Sequence, residues 1–251
     1  MNNSKKIFLN NKKKNNKKIV LPFYNSNFVD NVKLDDFNKE KIKSQNLDFL
    51  ANYYITDKGN KYGSAHNYVQ YYKKYFNKIK DKSLNILEIG IAAGSSLKMW
   101  SSYFTNSKIY GIDINSECME IKSFMDNSFN NVELMLGDAS VYDFGNLKFD
   151  IIIDDGSHLP VDMINTYNNL KKKLVKNGIY VIEDLKTCEN TKYILKLKKM
   201  KEDFDNYSND KFLKINSPVV LDIFFSRLSK KKEVNIHSHQ QSSIAFIKNR
   251  K

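Results

Sequence analysis

The feature that most constrains the fold is a unit that repeats from Leu84 onward: a short apolar run, an acidic or glycine-bearing turn, then an amphipathic stretch. "LNILEIGI" leads to "SSLKMWSSYF" (Ser95–Phe104), and "KIYGIDI" (Lys108–Ile114) leads to a helical stretch through about Phe129. "NVELMLGD" and "FDIIIDD" follow. A helix carrying Met163, Ile164, Tyr167, Leu170 and Leu174 then leads to "GIYVIED" (Gly178–Asp184). Runs such as Phe149 and Ile151 to Ile153 read as strands buried on both faces. This alternation predicts an α/β fold, a doubly wound and mostly parallel sheet with helices on both sides. At the end of the chain, "EVNIHSH" and "SSIAFIKN" predict an antiparallel hairpin on the sheet edge, which brings the sheet to seven strands. Beyond this alternation of strand and helix, no repeat of the sequence itself is visible.

Ahead of the sheet, "LDFLANYYI" (Leu47–Ile55) and "HNYVQYYKKYFNKI" (His66–Ile79) read as helices. In the second, Tyr68, Tyr71, Tyr72, Tyr75, Phe76 and Ile79 recur at helical spacing, a stripe read mainly as packing. Between them lies the polar loop "TDKGNKYGSAH". The expected organisation is a basic tail over 1–20, a helical cap over 21–82 and a sheet domain over 83–251. Residues 1–20 hold seven lysines, six asparagines and no acid, a composition that favours a disordered tail. That segment alone supplies +7 of the formal net charge of +13, so the basic balance is a weak pointer to nucleic acid. Hydrophobic content of 41% suits a packed core. Cys118 and Cys188 have no metal-ligand spacing and suit free thiols in a reducing, cytoplasmic setting. No apolar run approaches the ~18 residues of a membrane span.

In doubly wound sheets, ligands bind beyond the carboxyl ends of the strands. The first strand ends in "LEIGIAAGSS", the second in Asp113 and the third in Asp138. Acids at three successive strand ends suit a nucleotide-sized ligand, with helix capping as the competing reading. The fourth and fifth strands end in "IDDGSH" and "IEDL". Asp155, Glu183 and Asp184 would form an oxygen cluster of the type a hard divalent cation prefers, unless these acids pair with lysines or cap helices. His158, three residues beyond Asp155, could take a proton from an alcohol there.

These residues resemble class I methyltransferases, whose S-adenosylmethionine site uses an E-x-G-x-x-x-G loop and acids after strands two and three. The wider set "DKG–YGSAHNY", "LEIGIAAGSSLKMW", "IYGIDI", "IDDGSH" and "YVIEDL" resembles metal-dependent sugar O-methyltransferases of the macrocin and mycinamicin type. Rhamnosyl O-methyltransferases and cephalosporin hydroxylase-like proteins are relatives of that group. The resemblance implies S-adenosyl-L-methionine and Mg²⁺, or another hard divalent cation, as cofactors. It places Glu88, Gly90, Ala92 and Ser95 beside the methionine end, with Thr56 and Lys58 of the "DKG" loop over it. Asp113 and Ile114 would take the ribose, and Asp138 and Ala139 the adenine. Asp154, one residue out of phase with Asp155, points to the other face, where it is expected to support the backbone and is grouped with the cofactor-site residues. Asp155, Glu183 and Asp184 would hold the metal, with His158 as general base.

The implied function is methyl transfer to a hydroxyl of a sugar, glycoside or polyol-like small molecule, with self-association expected because relatives are oligomers. Three departures stand out: Ala92 replaces a glycine, Asp162 a frequent histidine, and "VKNG" a Pro-Gly-Gly. The divergent segment from about Asn209 to Lys232 lies where acceptor contacts are expected. An RNA methyltransferase is the competing enzyme reading. It lacks the Asn-Pro-Pro-aromatic loop after strand four and a suitably placed nucleophilic cysteine. A non-catalytic nucleotide-binding protein would leave the acidic cluster unexplained.

Overall fold

The computed structural model describes residues 45–61, 66–184, 219–226 and 242–249. The expectations for the basic tail, for residues 21–44 and for Cys188 lie outside them. Among the described residues two helices come first, α1 (Leu47–Tyr53) and α2 (Val69–Phe76). The Asn46 side chain caps α1 by accepting the Phe49 amide at 2.9 Å. The tyrosine periodicity predicts α2 from His66, but it begins at Val69. The amides of His66, Asn67 and Val69 donate instead to the carbonyls of Asp57, Gly59 and Lys58, at 2.8, 2.8 and 3.1 Å. These bonds tie the 56–59 loop to the start of α2.

The sheet follows as β1 (Asn85–Ile89), β2 (Lys108–Asp113), β3 (Val132–Leu136), β4 (Phe149–Asp154), β5 (Leu174–Ile182), β6 (Val219–Ser226) and β7 (Ser242–Lys248). Its order is β3-β2-β1-β4-β5-β7-β6. The pairs β1–β2, β1–β4, β2–β3 and β4–β5 are parallel, whereas β7 runs antiparallel to both β5 and β6. Helices α3 (Ser95–Tyr103), α4 (Lys122–Ser128, after a 3₁₀ turn over Ser116–Ile121) and α5 (Pro160–Leu170) complete the elements among the described residues. The doubly wound sheet with an antiparallel C-terminal pair is thus as expected.

Two expectations need correction. Leu174, assigned by spacing to the preceding helix, opens β5 and pairs with Phe149, so the strand begins before Gly178. A register shift between Phe149 and Ile151, with Asn177 at φ 66°, carries the strand through the turn-like "VKNG". The antiparallel partner of β7 is "VVLDIFFS", in register from Val219–Lys248 to Ser226–Ser242, while "EVNIHSH" lies outside the described residues.

Alternate residues of the buried strands serve two cores. Ile86, Ile109, Ile151, Ile153, Val181 and Phe246 face α1, α2 and α3, whereas Leu87, Ile112, Ile152, Tyr180 and Ile182 face Met163 and Leu170 of α5. Trp100 of α3 anchors the first core, with Tyr72 at 4.9 Å and Phe76 at 6.0 Å between ring centres. Tyr75 stacks on Phe246 of β7 at 4.5 Å. This aromatic packing fixes α2 over the carboxyl end of β5, which determines what its tyrosine hydroxyls reach. Among the described residues no helix is long and apolar enough to cross a membrane.

Candidate active site

Two adjoining pockets open at the carboxyl ends of the strands, of about 600 and 420 Å³, and both are lined by Gly90, Asp113 and Gly156. Thr56, Lys58, Ala92, Ser95, Asp155, His158 and Asp184 line the larger; Ile114, Asp138, Ala139 and Asp154 line the smaller. Gly90 is required by close approach: at φ 88°, a Cβ would lie 2.1 Å from the Asp155 carbonyl oxygen. The loop therefore presses directly on the turn that carries the acidic floor. Ala92, His158 and Asp184, all on the larger pocket's wall, hold φ values of 45°, 57° and 53°. Non-glycine residues in that region concentrate at functional sites.

Asp113 is fixed by backbone amides. Its Oδ2 accepts from Ile91 at 2.8 Å and Ala92 at 3.4 Å, and its Oδ1 from Asn115 at 2.9 Å. Asp138 accepts the Ser140 amide at 2.8 Å. Asp154 is buried and accepts the Tyr180 hydroxyl at 2.9 Å; burial pushes its carboxyl up to about 7 against that hydrogen bond.

Glu88, expected beside a cofactor, lies beneath the glycine loop and lines neither pocket. Its carboxylate accepts from Ser96 Oγ at 2.8 Å and Trp100 Nε1 at 3.1 Å, and lies 3.6 Å from Lys58 Nζ. Burial pushes it up to about 7, opposed by Lys58 and by both hydrogen bonds.

The acids of β4 and β5 divide into two sets. Asp155, His158 and Asp184 converge, with one donor atom from each within 4.8 Å of the others. His158 Nε2 lies 3.9 Å from Asp155 Oδ1 and 3.8 Å from Asp184 Oδ2. Glu183, grouped with them by sequence, faces inward and lines neither pocket. Its Oε1 accepts the Tyr72 hydroxyl and its Oε2 the Lys58 ammonium at 2.8 Å. Lys58 also donates to Asp155 Oδ2 at 2.5 Å. The lysine-pairing alternative is therefore realised for Asp155 and Glu183. Burial opposes the charge of Lys58, but Asp155, Glu183 and Glu88 outweigh it and hold the ammonium well above the ordinary lysine range.

Three contributors escaped the sequence reading. Tyr68 donates to Asp184 Oδ1 at 2.6 Å, and His66 Nδ1 lies 3.0 Å from the same oxygen. Despite burial, these partners hold the Asp184 carboxyl well below the usual range, and Asp184 raises His66 in return. Tyr72 is the third. Two rings of the α2 stripe, read as packing, thus also fix the acids of the site. The described geometry leaves Asp155 Oδ1 and Asp184 Oδ2 facing His158. Two carboxylates suit Mg²⁺, which is ordinarily held by one or two and completes its shell with water or substrate oxygens.

Comparison with known proteins places this architecture. Demethylmacrocin O-methyltransferase of Streptomyces fradiae is 33% identical over 157 residues, 57% of this chain and 37% of that protein. Mycinamicin VI 2''-O-methyltransferase of Micromonospora griseorubida is 30% identical over 157 residues, 58% of this chain and 37% of that protein. The chain thus spans well under half the length of these curated relatives. Among solved structures, the MycE methyltransferase from the mycinamycin biosynthetic pathway, in complex with Mg and SAH, has a TM-score of 0.58 at 24% identity. That match covers 82% of this chain and 55% of MycE. N-methyltransferase NodS from Bradyrhizobium japonicum matches at a TM-score of 0.54 and 12% identity, over 82% of this chain and 100% of NodS. The fold alone therefore does not choose the atom that is methylated. A family profile described as a methyltransferase domain matches residues 80–241, well over half of the chain, which therefore belongs to the methyltransferase-domain family.

Proposed function

We propose that this protein is an S-adenosylmethionine-dependent O-methyltransferase whose acceptor is a hydroxyl of a sugar, glycoside or polyol-like small molecule. The observation that carries this reading is the convergence of Asp155, His158 and Asp184 on the floor of the pocket bounded by the Gly90–Ser96 loop and Asp113. The curated relatives named for sugar and macrolide O-methylation support the acceptor class.

In this reading the cofactor spans both pockets. The adenine lies in the smaller one beside Asp138 and Ala139, the ribose on Asp113 and Ile114, and the methionine portion in the larger one near Thr56, Gly90, Ala92 and Ser95. Asp155 and Asp184 would hold Mg²⁺, which when bound supplies a positive charge that acidifies the acceptor hydroxyl and orients it. Tyr68 and His66 fix Asp184, so this carboxylate meets its ligand already oriented. His158 Nε2 receives the hydroxyl proton as the new C–O bond forms and the sulfonium C–S bond breaks. The leaving thioether is neutral. Fixing the hydroxyl in line with the methyl group contributes through proximity, worth ~7–11 kcal/mol in favourable cases. The test is a screen of sugar nucleotides, glycosides and glycan extracts for transfer of a labelled methyl group from S-adenosylmethionine. Labelling of an amine, or of nucleic acid alone, would overturn the acceptor assignment.

A further inference from the structure

Lys58 is fully buried, yet its ammonium has no role in the chemistry above. It lies among three carboxylates, 2.5 Å from Asp155, 2.8 Å from Glu183 and 3.6 Å from Glu88. Its backbone is held on both sides: the Lys58 amide donates to Thr56 Oγ1 at 3.4 Å, and its carbonyl accepts the Val69 amide at 3.1 Å. Clustered buried carboxylates repel one another and resist desolvation, and they persist when a positive charge neutralises them. Lys58 supplies that charge from the polypeptide itself. It donates to both Asp155 and Glu183, so it is not placed to accept the acceptor's proton.

We propose that Lys58 is the internal counter-ion of the acidic floor and competes with the divalent cation for it, so that this lysine sets the affinity of the site for the cation. The inference rests on the cation reading given under Proposed function. A cation approaching Asp155 Oδ1 meets an ammonium bonded to the other oxygen of the same carboxylate. In a partly buried site that repulsion is screened less than in bulk water. The lysine thus lets the cluster fold without metal and at the same time weakens its hold on the metal. Glu183 and Tyr72, on the far side of the ammonium, keep Lys58 in place. Glu183 is then a positioning residue for Lys58 as much as a member of the acidic set.

The test is Mn²⁺ binding to the metal-stripped full chain, followed by the electron paramagnetic resonance signal of the free ion, in the wild type, Lys58→Met, Glu88→Gln and the double variant. Circular dichroism verifies that each is folded. Lys58→Met should bind Mn²⁺ at least about tenfold more tightly than the wild type, since one nearby positive charge is gone. Its metal-free melting temperature should fall, and saturating Mn²⁺ should recover more of it than it adds to the wild type. If Lys58→Met does not fold, the double variant, which removes one carboxylate along with the ammonium, carries the same expectation relative to Glu88→Gln. Equal or weaker Mn²⁺ binding in the folded lysine variants, with binding intact in the wild type, overturns the counter-ion role alone. Absence of Mn²⁺ binding in every protein overturns the cation reading and this inference with it.

Discussion

Trp100 Nε1 donates a hydrogen bond to Glu88 Oε1 at 3.1 Å, and this is the only tryptophan in the sequence. Its emission therefore reports on one buried carboxyl. Burial pushes Glu88 up to about 7, above the ~4.3 of a free glutamate. The folded state then holds that proton more tightly than the unfolded chain. The stability Glu88 contributes is fully present below about pH 4.3 and is lost as pH rises through about 7. Trp100 fluorescence should step with a midpoint near 7 while circular dichroism stays constant. Glu88→Gln should abolish the step. A flat emission profile across neutral pH in the wild type would show that Glu88 stays in one protonation state.

Ala92 stands where the resemblance to class I methyltransferases implies a glycine, and its methyl group has a structural consequence. At φ 45° its methyl group sits in the left-handed region, which disfavours residues with a Cβ. Ala92→Gly should stabilise the protein by about 1 kcal/mol, less the extra chain entropy of glycine in the unfolded state. Urea denaturation reads this directly. A loss of stability in the variant would show that the methyl group makes a contact worth more than the backbone strain.

Tyr72→Phe isolates one hydroxyl. The ring stays packed against Trp100 and Phe246, while the buried Glu183 carboxylate loses a donor. Leaving a buried acceptor without its donor costs about 1–3 kcal/mol, so a destabilisation of that order is expected in urea. An unchanged midpoint would mean that Glu183 finds another donor.

The succession of strands and the acids at their ends were legible because each depends on local pattern: apolar runs of fixed length, then a carboxylate. Asp113, Asp138, Asp155 and Asp184 could be placed from that alone. The partnership of Lys58 with Asp155 and Glu183 could not, since it joins residues 97 and 125 positions apart. In the sequence, "TDKG" reads as a polar surface loop, and nothing local shows that its lysine is buried. Tyr68 and Tyr72 were hidden differently. A tyrosine at helical spacing satisfies a packing stripe with its ring, and the hydroxyl's destination depends on where the helix docks. The edge strand Val219–Ser226 was missed because its apolar run sits in a stretch with no helix partner to set its period.

Asp113 is the proposed ribose contact, and its orientation is set before any ligand arrives by the Ile91 and Asn115 amides. Asp113→Ala should weaken S-adenosylmethionine binding by about 1.5–3 kcal/mol, the value of charge-assisted hydrogen bonds. Titration calorimetry checks this, and equal affinity in the variant would remove Asp113 from the cofactor site.

The most direct test of the whole account is methyl transfer from labelled S-adenosylmethionine to a hydroxyl acceptor by chelator-stripped protein, before and after Mg²⁺ is returned, in the wild type and His158→Ala. The wild type should be inactive when stripped and recover with Mg²⁺, while cofactor binding stays largely intact throughout. His158→Ala should bind the metal nearly as well yet turn over about 10²–10⁴-fold more slowly, the usual contribution of a positioned general base. Its residual rate should rise with pH as hydroxide takes over the deprotonation. Full wild-type activity with the metal verified absent would contradict the account, because Asp155 and Asp184 would then be structural acids and not the floor of a metal-assisted site.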